Sequence, residues 1–89
     1  MFLTAGKNGK KKLSKETTVR VRVLRDENRR PYFITIFHHK YTLSYRRHPE
    51  SLFRRVRIMS RGGKPITEAD VSAKLMNEFT ALVRRYFLP

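Results

Sequence analysis

From residue 19 onward the apolar positions recur with a period of two: Val19, Val21 and Val23 alternate with Arg20 and Arg22. That alternation predicts a half-buried strand. Asp26-Glu27-Asn28-Arg29-Arg30-Pro31 reads as a turn. The run after it, Tyr32 to His39, is β-rich and apolar on both faces, as a central strand should be. Two such runs joined by a short polar loop form a hairpin. Tyr41, Leu43 and Tyr45 alternate with smaller polar residues and predict a third strand through Arg46.

Residues 49–61 fit two patterns. As a helix, Pro49 takes the first turn and Gly62 the C-terminal cap. Leu52, Phe53, Val56 and Met59 then share one face, with Arg54, Arg57 and Arg61 on the other. As a strand, Val56 and Ile58 alternate with Arg55 and Arg57, and His48-Pro49-Glu50-Ser51 becomes a hairpin turn. The helix is the favoured reading.

The last segment predicts a helix from about Glu68 to Phe87. Thr67 and Asp70 have the spacing of a capping box. Val71, Leu75, Phe79, Leu82 and Tyr86 form an apolar stripe, widened by Met76, Val83 and Phe87. Glu68 and Asp70 lie at the positive end of this helix, Arg84 and Arg85 at the negative end. The expected fold is therefore α+β: a three- or four-stranded antiparallel sheet packed with a C-terminal helix, with a second short helix at 49–61 in the favoured reading. It occupies residues 18–89 as one domain, behind a flexible lysine-rich tail at 1–17.

Charge changes this picture more than any motif does. The chain of 89 residues carries 21 Lys+Arg against 7 Asp+Glu, a formal net charge of +14. Residues 1–18 hold five lysines and no arginine, and residues 19–64 hold eleven arginines with Lys40 and Lys64. From residue 65 the charges cancel: Lys74, Arg84 and Arg85 against Glu68, Asp70 and Glu78. Such an excess repels itself and destabilises the folded chain unless an anion is near. Nucleic acid is the commonest polyanion, ahead of an acidic protein or an anionic membrane. Mobile lysines suit roaming phosphate contacts, and planar arginine forks suit fixed ones.

The candidate contacts are Arg20, Arg22, Arg46, Arg54, Arg55, Arg57, Arg61 and Lys64, with Lys10, Lys11 and Lys12 of the tail adding affinity that is not sequence-specific. If Ile34 and Ile36 face the helix, Phe33, Thr35 and Phe37 face away beside Arg20, Arg22, Thr42, Ser44 and Arg46. Exposed aromatics among arginines make a stacking platform for unpaired bases. In the competing arrangement, a helix at 49–61 covers that side and Phe33 and Phe37 are core. A helical Arg54–Arg57–Arg61 ridge of about 10 Å would itself suit a groove or a phosphate strand. Gly62-Gly63-Lys64 could present amides to a phosphate but lacks the spacing of a phosphate loop.

Catalytic signals are thin. His38 and His39 are neighbours on a predicted strand and should point to opposite faces. His48 falls in a turn, there is no cysteine, and no acidic pair is set up for acid–base work. No metal and no cofactor are expected. No apolar run approaches the ~18 residues of a membrane span. The opening Met1-Phe2-Leu3 is too short for the apolar core of a signal peptide, so the expected location is cytoplasmic, on a nucleoid or within a ribonucleoprotein.

Phe33-Ile34-Thr35-Ile36, and Ile58 followed by Arg61-Gly62-Gly63-Lys64, resemble pieces of the small basic linker domains of phycobilisomes. In that family an analogous strand occurs together with a helix ending in Gly-Gly-Lys. The likeness covers about ten residues. The gap between the two pieces is longer here, the first hairpin is shorter, and Pro65 interrupts what would be the family's next strand.

The expected function is therefore non-catalytic binding of DNA or RNA through the phosphate backbone, as in a phage or mobile-element DNA-binding factor. Two alternatives stand beside it. One is a structural basic subunit of a large assembly, of ribosomal or linker type. The other is a small metal-independent toxin ribonuclease using Arg, His and Tyr. Phe87 and Leu88, at the end of the final helix, mark a candidate homodimer contact.

Overall fold

The computed structural model describes residues 8–12 and 18–88, with side chains from residue 18 onward. Its sheet is an antiparallel meander of β2 (Thr18–Arg25), β3 (Pro31–Phe37), β4 (Tyr41–His48) and β5 (Leu52–Ser60). A short N-terminal strand, β1 (Asn8–Lys12), pairs with β2 and extends the sheet at that edge. β3 is the central strand, as its two-faced apolar sequence requires. After β5 come a single 3-10 turn (Glu68–Asp70) and the helix α1 (Ala73–Phe87). This is the expected α+β fold, a sheet backed by one C-terminal helix.

Register and burial explain each other. Val21 pairs with Ile36 and Val23 with Ile34; Ile36 pairs with Leu43, Ile34 with Tyr45, and Leu43 with Ile58. All of these are buried, and they form one layer under α1. The helix covers them with Met76, Phe79, Leu82, Val83 and Phe87, and Phe79 and Val83 are fully enclosed. Each such side chain contributes roughly 1.5–3 kcal/mol through burial. Phe87 stacks on Phe53 at 5.5 Å, and Phe53 meets the edge of Tyr45 at 5.8 Å, so the end of the helix is tied to β4 and β5. The Tyr45 hydroxyl is buried without a hydrogen-bond partner, and burial pushes its pKa up to about 12.

Several expectations are corrected. First, residues 49–61 are not a helix: Pro49, Glu50 and Ser51 turn, and Leu52–Ser60 is a strand. A helix there would stack Arg54, Arg57 and Arg61 at i,i+3 and i,i+4, where like charges repel. The strand spaces these three further apart along the chain, at the cost of setting Arg54 opposite Arg46, and gives β4 its second partner. Second, the Thr67–Asp70 box closes only one 3-10 turn. Asp70 accepts from the Thr67 amide at 2.9 Å and from its hydroxyl at 3.2 Å. Val71 is then extended and buried, and Ser72 starts α1 by accepting from the Leu75 amide at 3.2 Å. The apolar stripe shifts with it, from Leu75 and Tyr86 to Met76, Val83 and Phe87. Third, residues 8–12, read as part of a flexible tail, pair as a strand; the rest of the 1–17 segment lies outside the described residues. Fourth, of the candidate homodimer contact Phe87 is buried in the core, leaving Leu88 as the uncovered apolar residue at that end.

The turns rest on side-chain acceptors. Asp26 Oδ1 accepts from the amides of Asn28 and Arg30 at 2.9 and 3.0 Å, and its Oδ2 accepts from Arg47 at 2.9 Å. The Arg47 hydrogen bond, first among these contacts, holds the Asp26 carboxyl below its ordinary pKa. His48 Nδ1 accepts from the amides of Glu50 and Ser51, both at 3.2 Å. His38 Nδ1 accepts from the Lys40 amide at 3.1 Å in the β3–β4 turn. The strand ends at Phe37, so His38 and His39 do not point to opposite faces: their rings lie 4.2 Å apart. His38 is also stacked on Tyr41 and meets the edge of Phe79.

Burial, and then the neighbouring charges of His39 and Lys40, lower the His38 pKa from its ordinary 6.5. The unfolded chain therefore takes up this proton more readily than the folded one. The stability contributed by neutral His38 is complete above about pH 6.5 and is lost as pH falls toward the lowered folded value. The variant His38→Asn keeps an acceptor for the Lys40 amide and does not titrate. Urea midpoints at pH 7.5 and pH 5 should fall further for the wild-type protein than for H38N; equal falls would contradict this role.

Candidate nucleic-acid interface

A sheet backed by one helix has two different faces. Residues alternating with the core of β2 to β5 lie on the face away from α1, and register arranges them in three rows. The first is Leu24, Phe33, Arg46, Arg54; the second Arg22, Thr35, Ser44, Arg57; the third Arg20, Phe37, Thr42, Met59. All five arginines in these rows are exposed. Phe37 is 38% exposed, and Phe33 is half-buried. Among the described residues nothing packs over this face.

A bulge makes the arrangement possible. Arg54 and Arg57 are three residues apart and would face opposite ways in a regular strand. Between them the register slips: Ser44 pairs with Arg57 but Tyr45 pairs with Arg55. The extra residue brings Arg54 and Arg57 to the same face. The expected 54–57–61 ridge is thus replaced by two strand arginines, while Arg61 lies exposed in the turn after β5.

Three arginines elsewhere have local work. Arg55, on the helix side, pairs with Glu68 at 3.2 Å. Arg47 binds Asp26 and donates to the Pro31 carbonyl at 3.3 Å, and Arg25 donates to the Arg29 carbonyl at 3.0 Å. Of the sequence-derived contacts, Arg20, Arg22, Arg46, Arg54 and Arg57 share the open face; Arg55 does not. Lys64 is exposed in the turn, where its amide and that of Gly63 both donate to Ser60. The glycine at 63 adopts φ 85°, the left-handed position of this turn, so the Gly62-Gly63-Lys64 segment is a tight hairpin connection. In β1, Lys10 stands opposite Arg20, Lys11 opposite Val19 and Lys12 opposite Thr18.

The electrostatics are one-sided. Strands β2 to β5 contain no Asp or Glu. Arg46 and Arg54 stand directly opposite each other, a like-charge pair with no acid in its row. Such pairs are destabilising. A bound phosphate between two guanidinium groups would reverse the sign of that interaction. Sequence reasoning named every arginine of this face but missed the Arg46–Arg54 pairing, which depends on a bulge that alternation alone does not reveal. No group of three or more metal-ligating side chains occurs among the described residues, and none of their helices is long and apolar enough to cross a membrane.

Removing one member of the pair should relieve the repulsion. Arg54→Gln is expected to raise folding stability by roughly 0.2–1 kcal/mol at low salt, and the gain should shrink toward zero near 1 M salt. Denaturation midpoints at the two salt concentrations check this; a gain that ignores salt would point to packing instead.

Comparison with protein-family models, with curated proteins and with solved structures finds no match to this chain. The phycobilisome-linker likeness implies a helix before Gly62-Gly63-Lys64, whereas the residues preceding that turn form the strand β5.

Proposed function

We propose that this protein binds nucleic acid without catalysis, gripping the phosphate backbone with the open face of its sheet. The observation that carries the reading is the acid-free row structure, with Arg46 and Arg54 facing each other across two strands. A folded chain tolerates such a pair best when an anion regularly lies between its members. Five arginines on one flat face offer bidentate contacts to successive phosphates. The helix on the opposite face, where Lys74, Arg84 and Arg85 stand against Glu78, supports the sheet and carries less of the charge than the open face does. His38 Nδ1 and His48 Nδ1 both accept from backbone amides, a structural use of these two rings.

The test is the salt dependence of oligonucleotide affinity. Five neutralised phosphates give a slope of log affinity against log salt of about −3.5 on a single strand and −4.5 on a duplex. Arg20→Gln with Arg22→Gln should flatten the slope by about 1.4–1.8. Arg84→Gln with Arg85→Gln, on the far side of the molecule, should leave it unchanged. Absence of binding at low salt, or equal flattening in both double variants, would overturn the proposal.

A further inference from the structure

We infer that the open face selects single-stranded nucleic acid, with Phe33 and Phe37 each receiving the face of an unpaired base; the inference rests on the function proposed above. The argument begins with where the aromatics sit. They occupy the central strand, flanked by β2 and β4, so a chain crossing the face must pass over them. Each has an arginine as a direct cross-strand neighbour: Arg46 beside Phe33 and Arg20 beside Phe37. A base resting on either ring therefore has its phosphate within reach of a guanidinium.

A purely electrostatic surface has no need of these rings. Phosphate contacts alone would be served by polar residues at 33 and 37, and leaving Phe37 38% exposed forgoes part of its burial energy. Base faces supply the missing partner. In a duplex those faces are covered by their neighbours in the stack, so only an unpaired strand presents them. Phe33 and Phe37 are four residues apart on one strand, roughly 13 Å at the usual rise. Bases stacked on each other are about 3.4 Å apart, so the rings take non-adjacent bases of a strand that is drawn out and unstacked. Between them Thr35 and Ser44 stand side by side, with hydroxyls suited to base edges or sugar. Among the described residues the face is built of strands alone, with no helix on it to enter a duplex groove.

The experiment measures fluorescence anisotropy of labelled oligo(dT), oligo(U) and a mixed-sequence duplex of equal length, at one salt concentration. The proteins are the wild type, Phe37→Leu and the double variant Phe33→Leu/Phe37→Leu. Leucine keeps apolar bulk on the sheet and removes the ring, and thermal melts check that each variant folds. The wild type should bind both single strands more tightly than the duplex. Phe37→Leu should weaken single-strand binding about fivefold or more, and the double variant further. Duplex binding should change by less than about twofold. DNA and RNA strands should suffer alike, because the ring meets the base and not the sugar. Single-strand affinity unchanged in the folded double variant, or a duplex bound more tightly than either single strand, would overturn the inference while leaving the phosphate-binding function standing. Failure of the wild type to bind any of the three would overturn both.

Discussion

One helix covers one face of the sheet, and everything else about the molecule follows from that asymmetry. A meander of four strands with a two-sided central strand needs two covers to bury all of its large side chains. α1 supplies one, and its apolar residues Met76, Phe79, Val83 and Phe87 are all engaged beneath it. The opposite face is left with Phe33, Phe37 and five arginines, held in rows by backbone pairing rather than by packing. A surface held by hydrogen-bonded strands is rigid in its spacing even when its side chains are free to move, which suits a repeating polyanion.

The arginines sort by what faces them. Those near an acid or a turn carbonyl, Arg25, Arg47 and Arg55, stabilise loops and the approach to the helix. Those on the open face have no acidic neighbour there, and two of them oppose each other. The distinction does not follow from local sequence, since Arg54 and Arg55 are adjacent. It follows from strand alternation, which sends one toward Glu68 and the other toward solvent. A single position thus separates a structural arginine from a candidate phosphate contact.

Much of this was legible in the sequence. The valine–arginine alternation of β2, the two-faced apolar run of β3 and the apolar stripe of α1 each specify their element through periodicity, and the pairing of Ile34 and Ile36 under the helix sends Phe33 and Phe37 to the other side. What was not legible turned on tertiary pairing. Residues 52–60 have a helical apolar pattern as well as a strand pattern, and the choice falls to β4, whose free edge they satisfy. The bulge between Arg54 and Arg57 has no local signature and emerges only from register. The start of α1 was misplaced because two competent caps, Thr67 and Ser72, lie five residues apart, and burial of the extended Val71 separates them. The strand at 8–12 carries lysines and glycine with no apolar alternation, so nothing in its sequence distinguishes it from a tail.

The central claim is that the open face of the sheet, and not the helix or the loops, meets the ligand. Mapping side-chain methyl and aromatic NMR signals during titration with a short oligonucleotide tests it most directly. The account predicts that perturbations concentrate on Leu24, Phe33, Thr35, Phe37, Thr42 and Met59, while Leu75, Leu82 and Leu88 on and beyond α1 stay in place. Perturbations centred on α1, or confined to the turns around Arg29 and Lys64, would contradict it.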